Sequence, residues 1–86
     1  MKISAELTLT PLQNNFEEPI IRFIKKLRAS QFVVLENPLS TQIFGEYDLL
    51  MPYLIEEIKA SFEDQENVVM NLKIVKSDRS DYEPHF

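Results

Sequence analysis

The sequence has no cysteine, a single histidine and a single glycine. Without cysteine it offers no disulfide framework, no thiolate metal site and no cysteine nucleophile. His85 alone cannot supply a histidine metal cluster or a histidine-based catalytic triad within one chain. Gly45 alone excludes a glycine-rich phosphate loop. The sequence therefore predicts no metal site, and it offers no obvious catalytic base other than a carboxylate.

Long apolar runs and an excess of basic residues are also missing. No window approaches the roughly 20 apolar residues of a membrane span, and Met1-Lys2-Ile3-Ser4 enters an alternating pattern without an apolar signal segment. Nine Lys and Arg residues against 14 Asp and Glu residues give a formal net charge of -5. This charge repels phosphate backbones and anionic lipids. We therefore expect a cytoplasmic protein that binds neither nucleic acid nor membranes.

The 86 residues are 44% hydrophobic and 27% charged, which is typical of one globular domain. Folding at this length buries only about 60% of the surface that the unfolded chain exposes. A second surface covered by another copy of the chain would add to the stability. We therefore expect a homodimer or a homotetramer.

Four segments have the pattern of β-strands. In the first segment apolar and polar residues alternate strictly, as in a strand with one buried face, and Pro11 is predicted to end it. The second and third segments flank Asn37-Pro38-Leu39 and indicate a hairpin. The predicted strands are Ile3–Thr10, Gln31–Glu36, Ser40–Tyr47 and about Asn67–Lys76.

Two segments have apolar residues at helical spacing. The predicted buried stripes are Phe16, Ile20, Phe23, Ile24 and Leu27 in the first helix, and Met51, Leu54, Ile55, Ile58 and Phe62 in the second. Asn15 and Asp48 are predicted to cap these helices. Pro19 and Pro52 follow the caps by four residues. Because proline is tolerated only in the first turn, both helices should begin close to these prolines.

The predicted order is strand, helix, strand, strand, helix, strand. With right-handed crossovers this order gives an α+β, ferredoxin-like βαββαβ domain, in which two helices lie on one face of a four-stranded antiparallel sheet. Residues 1–76 are predicted to form this domain. Residues 77–86 show no periodicity and are predicted to be a polar C-terminal tail that is dispensable for folding.

The second face of the sheet is left uncovered by the two helices. Its predicted residues combine apolar, uncharged polar and charged side chains: Ser4, Glu6, Thr8, Thr10, Val33, Leu35, Gln42, Phe44, Glu46, Val69, Asn71, Lys73 and Val75. This mixture suits a surface that packs on another sheet around a small polar ligand, and a dimer interface without a ligand fits it equally well. A covered carboxylate at Glu6 must be neutralised, either by a ligand or by Lys73.

Three segments of the sequence carry a family resemblance. The first segment, Lys2 to Leu12, ends in a Pro-Leu step. The second, Ser40 to Asp48, has a Ser-Thr pair at the start of a predicted strand and a glycine before an acidic helix start. The third segment is Val68 to Ile74. In this order they resemble the YkoF-like thiamine/hydroxymethylpyrimidine-binding family. Its members have ferredoxin-like domains whose sheets pack face to face, and they bind thiamine or its pyrimidine moiety without known chemistry.

Two departures from the family pattern are visible. Larger members carry two such units in one chain, whereas this sequence has one and would have to pair with another copy. Pro38-Leu39 also stands where close relatives tend to have a glycine turn, which affects the rim of the expected pocket.

The resemblance implies a protein that binds thiamine or hydroxymethylpyrimidine without catalysis or a cofactor, in vitamin uptake, salvage or buffering. Hydrogen-bonding side chains would hold the pyrimidine, and a carboxylate or an aromatic face would hold the cationic thiazolium. The expected ligand-binding residues are Glu6, Thr8, Ser40, Thr41, Gln42, Phe44, Glu46 and Asn71. The alternatives are a small dimeric α+β-barrel enzyme and an interaction module that binds no small molecule.

Overall fold

The computed structural model describes residues 1–85 and has the predicted order of elements. These are β1 (Lys2–Pro11), α1 (Glu17–Arg28), β2 (Val33–Glu36), β3 (Thr41–Glu46), α2 (Tyr47–Asp64) and β4 (Val68–Val75). The strands form one antiparallel sheet in the order β2-β3-β1-β4. Both helices pack on one face, so the predicted ferredoxin-like βαββαβ fold is confirmed.

Apolar and polar residues alternate in β1, and the apolar ones form the centre of the core. Side chains at every second position of a strand point to the same face, and in β1 these positions are apolar. They contact the inner faces of both helices, and the residues buried together are Ile3, Ala5, Leu7, Leu9, Phe23, Leu27, Ile43, Leu50 and Leu54. Burying large apolar side chains in this way is the main favourable contribution to folding.

Both helices begin differently from the sequence prediction. The N-cap of α1 is Phe16, which is 50% exposed and lies outside the buried stripe, and the predicted cap Asn15 instead donates a side-chain hydrogen bond to Glu18 at 2.8 Å. The N-cap of α2 is Glu46, so the predicted cap Asp48 lies in the first turn. Neither N-cap residue makes a side-chain hydrogen bond to its helix.

The two prolines occupy different helical positions. Pro19 is the third residue of α1, within the first turn as predicted, whereas Pro52 is the sixth residue of α2. The expectation that α2 starts close to Pro52 is therefore wrong. Proline at this position leaves the carbonyl of Asp48 without its helical donor. Because Asp48 and Pro52 are both exposed, water can hydrogen-bond to that carbonyl.

The buried side of α2 is rotated from the predicted stripe. Ile55 and Phe62, both predicted to be buried, are 58% and 48% exposed, whereas Leu50 lies outside the predicted stripe and is fully buried with Leu54. The strand β3 continues into α2 without a loop, so the sheet sets the orientation of the first helical turn. The Tyr53 hydroxyl also donates a hydrogen bond to a backbone carbonyl of α1 at 3.0 Å, which fixes the side that faces α1.

The first strand is longer than the sequence predicts. Pro11 ends β1 as predicted, but as the last residue of the strand, where it pairs with Val68 of β4. The next residue, Leu12, donates its N–H to the carbonyl of Asn67 at 3.0 Å. The pairing therefore continues across the proline, because the neighbouring residue supplies a donor.

Within residues 1–85, no helix is long and apolar enough to cross a membrane.

Candidate functional site

On the sheet face opposite the helices, which we call the open face, the strand register aligns side chains in rows. One row is mainly apolar and contains Val33, Phe44, Ser4 and Val75. The next row is mainly polar and contains Leu35, Gln42, Glu6 and Lys73. In a third row Thr8 pairs with Asn71. Because β1 is a central strand, Glu6 lies in the middle of this face, between Gln42 and Lys73.

Four polar side chains meet around Glu6, and we call them the Glu6 cluster: Glu6, Ser40, Gln42 and Lys73. The Ser40 hydroxyl donates a hydrogen bond to Glu6 Oε2 at 3.0 Å, and Gln42 Nε2 donates to the Ser40 oxygen at 3.4 Å. Lys73 Nζ lies 3.8 Å from Glu6 Oε1. The Glu6 side chain remains 42% exposed. Its carboxylate is therefore partly compensated and still has lone pairs that can accept a hydrogen bond from a ligand.

A shallow depression lies on one side of the Glu6 cluster. It has a volume of about 260 Å³ and is lined by Thr8, Asn71 and Leu72 together with Glu6 and Lys73. The hydroxyl of Thr8 and the amide of Asn71 offer both donors and acceptors there. This depression thus gathers two more of the predicted site residues beside Glu6.

The other side of the open face is crossed by residues 77–82, which we call the strap. After β4 the chain turns back through a hydrogen bond from the N–H of Ser77 to the carbonyl of Val75 at 2.9 Å. The Ser4 hydroxyl then donates to the carbonyl of Ser77 at 2.7 Å and accepts the N–H of Arg79 at 2.8 Å. The strap reaches the region of Phe44, and Ser4 and Phe44 are only 7% and 6% exposed. The first residues of the predicted tail therefore contact the sheet.

A local turn shapes the strap on either side of Arg79. The hydroxyl of Ser80 donates to Asp78 Oδ1 at 2.6 Å and its backbone N–H donates to the same oxygen at 2.9 Å. These hydrogen bonds stabilise the ionised carboxylate and lower the pKa of Asp78 below its usual value. The two residues that flank Arg79 are therefore held by a hydrogen-bonded turn, and Arg79 itself is held by Ser4.

Between the strap and the Glu6 cluster lies a pocket of about 240 Å³, which we call the strap pocket. Its residues come from β1, β3, β4 and the strap: Ser4, Ala5, Glu6, Gln42, Phe44, Lys73, Val75 and Arg79. Glu6 and Lys73 border both the strap pocket and the Thr8–Asn71 depression. The two hollows therefore form one interrupted groove across the open face, with the Glu6–Lys73 pair between them.

The structure does not bring every predicted site residue to this groove. Thr41 pairs with the core residue Leu7, so it lies on the helix side of the sheet, where it is buried. Glu46 lies at the end of β3, and its Oε2 is 3.1 Å from the amino nitrogen of Met1. The residues that do line the groove or contact Glu6 are Glu6, Thr8, Ser40, Gln42, Phe44 and Asn71.

Three polar residues of the groove were absent from the predicted site: Ser4, Lys73 and Arg79. The alternation in the sequence places Ser4 and Lys73 on the open face, so that pattern was a usable signal for both. No sequence pattern marks Arg79, because the strap has neither helical nor strand periodicity. Its place in the groove depends on the backbone contact with Ser4.

Among residues 1–85, no three His, Cys, Asp or Glu side chains are grouped so that they could hold a metal ion. The groove therefore consists of hydrogen-bonding groups, an ion pair, an arginine and apolar side chains.

Comparisons with known proteins place the fold among several solved structures. No protein-family model and no curated protein matches the chain. Protein SP2199 from Streptococcus pneumoniae is similar with a TM-score of 0.83 and 28% identity, over 94% of this chain and 92% of that one. TM0486 from Thermotoga maritima, described as a candidate thiamine biosynthesis/salvage protein, has a TM-score of 0.80 and 20% identity, over 90% and 85% of the two chains.

A domain of unknown function, DUF77, from Bacillus cereus is also similar, with a TM-score of 0.72 and 15% identity over 91% of this chain and 78% of that chain. The structural neighbours of this fold thus include a candidate thiamine biosynthesis/salvage protein and a DUF77 domain.

Proposed function

We propose that this protein is a single-unit member of the YkoF-like family and binds thiamine or its hydroxymethylpyrimidine moiety, without catalysis, on the open face of a dimer. The role would be uptake, salvage or buffering of the vitamin in the cytoplasm. The observation that carries the proposal is the Glu6 cluster, a half-exposed carboxylate in the middle of a sheet face that the helices leave uncovered.

The chemistry of the cluster matches an aminopyrimidine. Such a ring has an exocyclic amino group that donates hydrogen bonds and ring nitrogens that accept them. Glu6 can accept from the amino group, and the second N–H of the Gln42 amide can donate to a ring nitrogen. A hydrogen bond to a charged group contributes about 1.5–3 kcal/mol, so Glu6 would supply the largest polar contribution to affinity.

The shape of the groove supports a ligand with two connected parts. The strap pocket and the Thr8–Asn71 depression lie on either side of the Glu6–Lys73 pair. Thiamine has two rings joined by one carbon, so one ring can occupy each hollow. The carboxylate of Glu6 between the hollows can also interact with the positive charge of the thiazolium ring.

A second copy of the chain would complete the site. Val33, Leu35 and Val69 are 56%, 43% and 43% exposed on the open face, and each hollow alone is smaller than the 300 Å³ or more of ordinary ligand pockets. A partner sheet packed on these side chains would bury them and close the groove. Excluding water in this way also strengthens the electrostatic contacts of Glu6.

The proposal is tested by isothermal titration calorimetry with thiamine and with hydroxymethylpyrimidine on the wild-type chain and on Glu6→Gln. This substitution keeps the shape and removes the charge, so we expect affinity to fall about tenfold or more. Glu46→Gln is the matched control, because Glu46 lies outside the groove and its removal should leave affinity unchanged. The recovered ligand should be chemically unchanged after incubation.

Three outcomes would contradict the proposal. Absence of binding by either compound would favour an interaction module, and conversion of the bound compound would favour an enzyme. Unchanged affinity in Glu6→Gln, with the dimer intact, would make Glu6 a structural partner of Lys73 only.

A further inference from the structure

We infer that the strap pocket recognises a phosphate monoester, so that the preferred ligand is a phosphorylated form of the aminopyrimidine or of thiamine. The inference rests on the proposed function, since it names the form of the ligand that the same site would take. It assigns the recognition of the phosphate to Arg79, with Lys73 beside it.

The first observation is the balance of charge in the pocket. Three of its lining residues are charged: Glu6, Lys73 and Arg79. The charge of Glu6 is partly compensated by Lys73 at 3.8 Å and by the hydroxyl of Ser40 at 3.0 Å. Within the described chain, no carboxylate lies within 4.0 Å of the Arg79 guanidinium. The pocket therefore has one positive charge in excess.

This excess is a local feature, because the whole chain carries a formal charge of -5. Three other arginine and lysine side chains form ion pairs with carboxylates on the protein surface: Arg22, Lys26 and Arg28. Arg79 differs from them, since it borders a pocket and has no acidic neighbour at that distance among residues 1–85.

The second observation is that the backbone of Arg79 is fixed. Its N–H donates to the Ser4 hydroxyl at 2.8 Å, and Ser4 is 7% exposed. The carbonyl of Arg79 accepts the N–H of Tyr82 at 3.2 Å, and the turn formed by Asp78 and Ser80 surrounds it. A fixed backbone reduces the entropy lost when the side chain binds. Arg79 is therefore placed to meet a ligand without reorganising the strap.

The chemistry of these groups selects the ligand class. The planar guanidinium of an arginine forms paired hydrogen bonds to phosphate oxygens, and a lysine adds a point charge. A phosphate monoester carries a charge of about -1.5 to -2 at neutral pH, which exceeds what one arginine neutralises and leaves a role for Lys73. Because Glu6 and Gln42 line the same pocket as Arg79, a phosphate on the hydroxymethyl group of a pyrimidine bound at the Glu6 cluster could reach Arg79.

The test compares phosphorylated and unphosphorylated ligands by calorimetry on the full chain. The four probes are hydroxymethylpyrimidine, its phosphate monoester, thiamine and thiamine monophosphate, with inorganic phosphate as a fifth titrant. We expect at least one ester to bind about tenfold or more tightly than its parent compound, which corresponds to one charge-assisted hydrogen bond. The pair with the larger ratio identifies whether the pyrimidine or thiamine is the parent.

Arg79→Gln should remove this gain, so that in the variant each ester binds about as tightly as its own parent compound. Lys76→Gln is the matched control, because it removes one positive charge three residues earlier from an exposed side chain that lines neither hollow. If Arg79→Gln fails to fold, the salt dependence of the wild-type chain gives a second test. The affinity for the ester should then fall with added salt more steeply than the affinity for the parent compound.

The results separate this inference from the proposed function. Equal affinities for esters and parent compounds would overturn the inference and leave the proposed function standing. A phosphate gain that persists in Arg79→Gln would overturn the assignment to Arg79. Inorganic phosphate binding as tightly as the esters would also overturn it, since the pocket would then recognise only an anion. Absence of binding by all four heterocycles would overturn both.

Discussion

At Gly45 the absence of a side chain is a packing requirement. Gly45 pairs with the core residue Ile3, and a Cβ added to it would lie 2.7 Å from Cδ1 of the Phe32 ring. The ring is held in turn by Tyr53, with 5.4 Å between the ring centroids. Close contact between backbone and ring at this point therefore fixes how the start of β2 approaches the core.

We expect Gly45→Ala to lower the free energy of unfolding by about 1–3 kcal/mol, because the ring or the strand must move to admit the methyl group. Urea unfolding followed by circular dichroism measures this loss. The double variant Gly45→Ala/Phe32→Leu should lose less than the sum of the two single variants, since a smaller side chain leaves room for the methyl group. Strictly additive losses would contradict the steric explanation.

Part of the candidate site could be predicted from the sequence. The alternation of β1 and β3 correctly puts Glu6 and Gln42 on one face, because the side-chain period of a strand is two residues. The same rule explains the failure at Thr41, which follows Ser40 and so has the opposite orientation. Arg79 was beyond prediction, since an irregular segment has no period from which a face can be assigned.

At the scale of elements, we expect the contact between β1 and the strap to contribute to the stability of the fold. Ser4→Ala removes the buried hydroxyl that both donates to Ser77 and accepts from Arg79. Leaving these backbone groups without a partner should lower the free energy of unfolding by about 1–3 kcal/mol and detach the strap. Hydrogen exchange at the amide of Arg79 should accelerate. Thr8→Ala is the control on the same strand and face, in a hollow that the strap does not line.

Truncation after Lys76 provides a second version of this experiment. It removes the same two hydrogen bonds and exposes Phe44, so stability should fall by a similar amount without loss of the fold. Unchanged stability would mean that the strap contributes nothing to folding, as the lack of periodicity in residues 77–86 suggested.

The order and type of the elements could be predicted, whereas the rotation of α2 could not. The apolar residues of α2 occupy more than one face, so several stripes are compatible with its sequence. The choice between them is made by the direct continuation of β3 into the helix and by the position of α1, which are tertiary features. The result buries Leu50 and leaves Ile55 exposed.

For the whole molecule, the expected assembly is a dimer through the open face. Leu35→Asp should convert it to a monomer, because a partner sheet would bury an uncompensated carboxylate there. Sedimentation velocity at micromolar concentration measures the change. Ile55→Asp is the matched control, since Ile55 is also an exposed apolar residue, but on the helix side. Dissociation by Ile55→Asp and not by Leu35→Asp would place the interface on the helices.

The position of β1 between β3 and β4 also affects how the chain folds. Its pairing with β4 brings together residues from opposite ends of the domain, and the Ser4–Ser77 contact spans 73 positions. Such distant segments must find each other against a large loss of chain entropy, which makes folding slower than in a helical bundle of equal length. Without β4, one edge of β1 would present unpaired N–H and C=O groups, and an open edge of this kind is a template for pairing with another chain.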